Sequence, residues 1–115
     1  MNHKGSCHCG SVKFEVDGEL EQVLECNCSH CSRKGFLLWF VPRQKLTLLG
    51  TSNSLATYTF NKHAIVHQFC PRCGCEPFAF GTDPSGAAIA AINVRCVENI
   101  DLAKLKRAPF DGRAL

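Results

Sequence analysis

Phe69-Cys70-Pro71-Arg72-Cys73-Gly74-Cys75 is the stretch on which the fold turns. In a Cys-x-x-Cys-Gly turn two sulfurs aim at one point, while the glycine accepts the backbone twist and its N–H reaches a thiolate. Working outward, the same chemistry recurs in Gly5-Ser6-Cys7-His8-Cys9-Gly10 and in Glu25-Cys26-Asn27-Cys28-Ser29-His30-Cys31-Ser32-Arg33-Lys34-Gly35. Of nine cysteines in 115 residues, only Cys96 stands outside these groups. An odd count, bunched on turns, argues for metal rather than a disulfide framework. The start, Met-Asn-His-Lys-Gly-Ser-Cys, lacks the apolar stretch of a secretory leader, so a reducing, cytoplasmic setting is expected.

Cys70 and Cys73 supply one half of a tetrahedral zinc site, and Cys7 and Cys9 the other. Such a site has no open position and is structural, its binding free energy passing directly into folding. Cys26, Cys28 and Cys31 place three thiolates within one short segment. Three protein ligands and one open position define a catalytic zinc, whereas a fourth ligand from His8, His30 or Cys75 would close the site. Spacing alone leaves both arrangements open. His30 lies inside the motif and is better placed beside a metal than on it. Cys75 reads as a small strand residue, Cys96 as a buried, inert thiol in a strand, and Trp39 and Phe40, close after the second cluster, as core packing ahead of a pocket wall. His63 and His67 flank Ile65-Val66 and read as strand surface.

The length fits a single domain, 1–115, with 45% apolar and 20% charged residues, which is globular rather than disordered. The formal charge of +3 falls to near neutral once ligand thiolates and two Zn²⁺ are counted. That removes the electrostatic case for nucleic acid. The longest apolar runs, Phe36–Val41 and Ala87–Ile92, fall far short of the ~20 residues that cross a bilayer.

Periodicity predicts a mainly β chain with short helices. Ser11–Asp17 alternates, with Val12, Phe14 and Val16 on one face; Val23–Cys26 follows after the Asp17-Gly18 turn. Ser29–Lys34 reads as one helical turn, capped by Ser29 or Asn27 and ended by Gly35. Phe36–Val41 reads as a fully buried strand ended by Pro42, and Lys45–Leu49 as a strand before Gly50. Leu55–Phe60 and Ile65–Phe69 form a strand pair, Phe78–Phe80 a strand ending at Gly81. Ala87–Val94 is an interior strand whose alanines leave room for a neighbour. Asp101–Lys106 reads as a short helix capped by Asp101, and Pro109–Leu115 as an irregular tail. An exposed strand edge in so small a domain leaves a homodimer open.

The ordered set of Gly-Ser-Cys-His-Cys-Gly, Cys-Asn-Cys-Ser-His-Cys-Ser-Arg-Lys-Gly, Phe-Cys-Pro-Arg-Cys-Gly, Asn93-Val94-Arg95-Cys96 and Pro109-Phe110-Asp111-Gly112 resembles the glutathione-dependent formaldehyde-activating enzyme family, which includes the centromere protein V type. The resemblance runs from Gly5 to Gly112. It implies a zinc-stapled β-tent fold, shared with a Rab-binding chaperone family. It also implies a structural zinc on Cys7, Cys9, Cys70 and Cys73, and a catalytic zinc on Cys26, Cys28 and Cys31. The implied activity is carbon–sulfur lyase chemistry, the reversible addition of glutathione or another small thiol to formaldehyde or a related aldehyde. Arg33 could then hold a glutathione carboxylate, with Lys34 a solvated charge on the turn. The chain departs from the pattern in its short start and in the extra thiol of Cys75. A non-catalytic, protein-binding zinc module of the same fold is the alternative expectation.

Overall fold

A computed structural model describes residues 1–49 and 55–114. Gly50, which follows the expected strand Lys45–Leu49, and Leu115 of the expected tail lie outside the described residues.

The chain is mainly β, as its periodicity predicts. In chain order the elements are β1 (Asn2–Ser6), β2 (Lys13–Asp17), β3 (Gln22–Cys26), α1 (Ser29–Lys34), β4 (Leu38–Pro42), β5 (Leu46–Leu48), β6 (Ala56–Tyr58), β7 (Val66–Phe69), β8 (Phe78–Thr82), β9 (Ala88–Asn93) and β10 (Lys106–Phe110). A three-stranded sheet runs β1-β2-β5, and a seven-stranded sheet runs β10-β3-β4-β9-β8-β7-β6. The pairings are antiparallel except that of β10 with β3, which is parallel.

The alternation of β2 buries Phe14 and Val16 completely. The Phe14 ring meets Phe78 of the larger sheet edge-on at 5.5 Å between centroids, so the two sheets share one core. Its inner face on the larger sheet is carried by Trp39 and Val41 of β4, Phe78 of β8, and Ala90 and Ile92 of β9. Gly5, opposite Phe14 in the register, lets the ring lie against the β1 backbone. A Cβ there would overlap Phe14 and approach the Cys96 carbonyl oxygen at 2.7 Å.

Several expectations change in three dimensions. β1 was invisible in Asn2-His3-Lys4-Gly5-Ser6 because no apolar alternation marks it; pairing with β2 makes it a strand. β4 is not buried throughout: Trp39 and Val41 face the core while Phe40 is 41% exposed on the other face. The helix is capped by Cys28, not by Ser29 or Asn27, because its sulfur accepts the Cys31 N–H. Gly35 ends it with φ 69°, as glycine at that position should. Asp101 does cap a turn, but only the 3-10 segment Leu102–Lys104. The expected irregular tail begins as β10; Pro109 is tolerated because β10 is an edge strand. Among the described residues, no helix is long and apolar enough to cross a membrane.

Candidate metal centre and cavity

Cys7 and Cys9 follow β1 in a turn completed by Gly10 at φ 82°. Cys70 and Cys73 follow β7 in a turn completed by Gly74 at φ 83°, whose N–H donates to the Cys70 carbonyl at 2.8 Å. The two turns bring four sulfurs mutually within 4.8 Å. Cys7 to Cys9 and Cys9 to Cys70 are each 3.6 Å. A tetrahedron with metal–sulfur bonds of about 2.3 Å has edges of about 3.8 Å, so the donor set fits zinc. The Val12 N–H donates to Cys7 Sγ at 3.3 Å, and the Ser11 hydroxyl lies 3.0 Å from Cys9 Sγ and 3.3 Å from Cys70 Sγ. The N–H groups of Cys75 and Cys9 pull the Cys73 thiol down to about 5, preparing it as a thiolate.

Cys26 ends β3, Cys28 caps α1 and Cys31 lies in its first turn. Their sulfurs form a second group within 4.8 Å, and among the described residues no further side chain joins it. His8 is exposed, and Cys75 stands beside the first cluster, receiving the His8 N–H and facing Cys73 and Cys7. Burial pushes the Cys26 and Cys31 thiols up, helped by their neighbouring sulfurs. At Cys28 burial also acts upward, but the Cys31 N–H and the adjacent thiols outweigh it and the net shift is downward. Three sulfurs this close form a donor set for a cation, whose charge would offset the cost of ionising them. The C-terminal segment closes over this group. Asn27 donates to Asp111 Oδ1 at 2.9 Å and accepts from the backbone N and Nε of Arg113 at 3.0 and 2.9 Å. Gly112 packs on the Cys26 sulfur, where a Cβ would overlap it.

The outer face of the larger sheet leads away from these thiols. Residues opposite one another in a ladder share a face, so Cys26, Leu38, Phe40, Ala91, Ala79 and His67 fall on one side across β3, β4, β9, β8 and β7. Together with the β6–β7 connection they enclose a cavity of about 350 Å³ that Cys26, Cys28 and Cys31 also line. Phe40, read from sequence as core, is a wall of this cavity. Of the β9 alanines, Ala91 leaves open space here, whereas Ala90 packs in the core on the other face.

Two polar expectations fail here, and together they reveal a cluster that the sequence hid. His67 is 6% exposed, not a surface residue, and its Nδ1–H donates to Glu76 Oε2 at 2.9 Å. Lys34 is not simply solvated; its Nζ donates to Glu76 Oε1 at 3.0 Å. His30 Nε2 lies 3.6 Å from the same oxygen, its ring among Phe36, Tyr58, Phe60 and His67. His67 Nε2 is buried without a partner among the described residues, and His67 lines the cavity. The Lys34 ammonium already occupies the place a cation would take against Glu76, so this is a hydrogen-bonded carboxylate, not a further metal site. Nothing in Cys75-Glu76-Pro77 marks a buried glutamate. His63, by contrast, is exposed as expected.

Burial acts to raise the Glu76 carboxyl, but the His67 and Lys34 bonds win and hold it below the ordinary glutamate range. A depressed carboxylate contributes stability above its unfolded value of about 4.3 and loses it as pH falls through the lower folded value. Glu76→Gln is therefore expected to destabilise the protein by roughly 3 kcal/mol at neutral pH, the cost of breaking a buried pair from one side. In denaturant melts that gap should close on acidification below about pH 4; a gap independent of pH would contradict the assignment.

Arg33 is exposed, its Nη1 donating to the Ser29 carbonyl at 2.9 Å. With Arg113, Ser29 and Ser32 it lines a second, polar hollow that shares Cys28, Phe60, Asn61 and Gly112 with the apolar cavity. Arg113 was not singled out from sequence; only the fold carries the chain end back to Asn27. Cys96 lies in a 3-10 turn (Val94–Cys96), not in a strand, and is half-buried rather than buried; the desolvation it does suffer pushes its thiol up to about 12.

Fold and thiols together define a small β protein with a four-sulfur and a three-sulfur centre. The chain belongs to the glutathione-dependent formaldehyde-activating enzyme family, whose model matches residues 2–109. It is also similar to a Rhodobacter sphaeroides protein whose crystal structure was determined as a structural genomics target. Identity is 28% and the TM-score 0.80, with 92% of this chain and 97% of that one covered.

Proposed function

We propose that this chain is a zinc-dependent carbon–sulfur lyase of the formaldehyde-activating type, joining a small anionic thiol such as glutathione to an aldehyde. In this proposal Cys7, Cys9, Cys70 and Cys73 hold a structural zinc, and Cys26, Cys28 and Cys31 a catalytic one. The observation that carries it is the three-sulfur group, with no fourth protein donor among the described residues, facing a cavity. A zinc bound there supplies acidity to an incoming thiol and a fixed position for its sulfur.

The chain's own residues do the rest. The Cys28 and Cys31 N–H groups donate to Cys26 Sγ and Cys28 Sγ at 3.5 and 3.3 Å, orienting the sulfurs. Arg33 and Arg113 offer guanidinium groups for a carboxylate beside Cys28. The apolar walls shield the reacting carbon from water, and His67, held by Glu76, is the buried imidazole of the cavity lining.

Zinc-edge X-ray absorption with and without glutathione tests this. The expected result is an average of about 3.5 sulfurs and about 0.5 light atoms per zinc, the mean of a four-sulfur site and a three-sulfur site with one light ligand, rising to four sulfurs when glutathione is added. Four protein sulfurs at rest, unchanged by glutathione, would leave a closed scaffold suited to binding another protein.

A further inference from the structure

We infer that the carbonyl partner of this site carries an apolar chain or ring, so that the substrate class is an apolar aldehyde joined to an anionic thiol at Cys28. The inference rests on the carbon–sulfur reading above and goes beyond it in naming the class. Formaldehyde has two heavy atoms and needs little more room than a water molecule, about 30 Å³. The cavity beside the three thiols holds about 350 Å³, far more than such a substrate would fill.

Its walls are apolar by construction. Leu38, Phe40, Ala79, Ala91, Ile89 and Phe110 all come from the outer face of the larger sheet. Large side chains at positions 79, 81 and 91 would close the space, but the chain carries Ala79, Gly81 and Ala91 there. Gly81 is not demanded by its backbone: its φ is not positive, and a Cβ would meet only Ile65 Cγ1, at an ordinary 3.8 Å. What glycine leaves free at that position is cavity.

The polar hollow with Arg33 and Arg113 adjoins the cavity, the two sharing Cys28, Phe60, Asn61 and Gly112 in their linings. A carboxylate left unpaired in the apolar cavity would be strongly disfavoured, whereas the arginines can pair it. The two hollows therefore sort the two reactants: the anionic thiol toward the arginines, the apolar substituent of the aldehyde toward the sheet. Lys62 and Asn61, both exposed, also line the apolar side.

The addition balances without any redox partner. The thiol S–H bond breaks and a C–S bond forms to the carbonyl carbon. The carbonyl π pair moves to oxygen, which takes up the proton that left sulfur, giving an S-(1-hydroxyalkyl) thiol adduct.

Calorimetric titration of the zinc-loaded protein with S-methylglutathione and S-hexylglutathione, which are inert thioether mimics of the adduct, tests the inference. The hexyl compound should bind at least about tenfold more tightly, since burying two of its added methylenes already reaches that factor. Gly81→Phe should erase the preference. Should that variant fail to fold, the parent's kcat/KM with glutathione should still favour hexanal over formaldehyde. Equal affinities for the two thioethers, while glutathione still converts the second zinc to four sulfurs, would overturn this inference and spare the functional reading. No binding of glutathione or either thioether would overturn both. Faster turnover of hexanethiol with formaldehyde than of glutathione with hexanal would assign the apolar group to the thiol and overturn the inference as stated.

Discussion

Cys70→Ser is expected to leave the chain without a cooperative fold. Cys70 is fully buried and belongs to the four-sulfur group that joins the turn after β1 to the turn after β7. One turn follows a strand of the smaller sheet and the other a strand of the larger, so the cluster ties together the two sheets whose shared core includes the Phe14–Phe78 contact. Structural zinc sites contribute about 10–16 kcal/mol in small metal-folded peptides, whereas whole domains are stable by only about 5–15 kcal/mol. Losing one of four thiolates therefore removes an amount comparable to the total. Circular dichroism melts and zinc analysis check this: the far-UV β signal should collapse, as it should when the parent is stripped by a strong chelator. A Cys70→Ser protein with parental melting would mean that the cluster does not staple the fold.

Cys28→Ser should separate fold from chemistry. Cys28 is the N-cap of α1, accepting the Cys31 N–H through its side chain, and serine is among the best residues for that role. The helix and both sheets should therefore persist, with the Cys7, Cys9, Cys70 and Cys73 site still loaded. The three-sulfur site, reduced to two thiolates, should lose its metal. Zinc content should fall by half, and acceleration of hemithioacetal formation, followed by exchange NMR, should drop by more than the roughly 10–100-fold that loss of an outer metal partner costs. Full activity with one zinc per chain would place the chemistry elsewhere.

Much of this was legible in order of residues alone. The grouping of Cys7 and Cys9 with Cys70 and Cys73 followed from turn chemistry, since a Cys-x-x-Cys-Gly turn offers only half a tetrahedron and must find its complement. β2 and β9 followed from period-two alternation and from a run of small apolar residues. The failures share a cause: the deciding partner was remote. β1 and β10 carry little apolar pattern, and each is a strand because another strand offers it a ladder. Cys28 displaced the better-known caps Asn27 and Ser29 because the chain path of the three-sulfur group, not local propensity, chose which residue precedes the helix.

The sequence by itself determined that this is a mainly β chain whose thiols cluster as four and three, because turn chemistry and strand alternation are local and repeat with short periods. Only the tertiary structure decided what surrounds those thiols. It buried His67 of β7 and Glu76 of the β7–β8 connection against Lys34 of α1, brought Asp111 and Arg113 back onto Asn27, and opened an apolar cavity across six strands. Such contacts depend on sheet order, β10-β3-β4-β9-β8-β7, and no periodicity within a strand encodes which strands become neighbours.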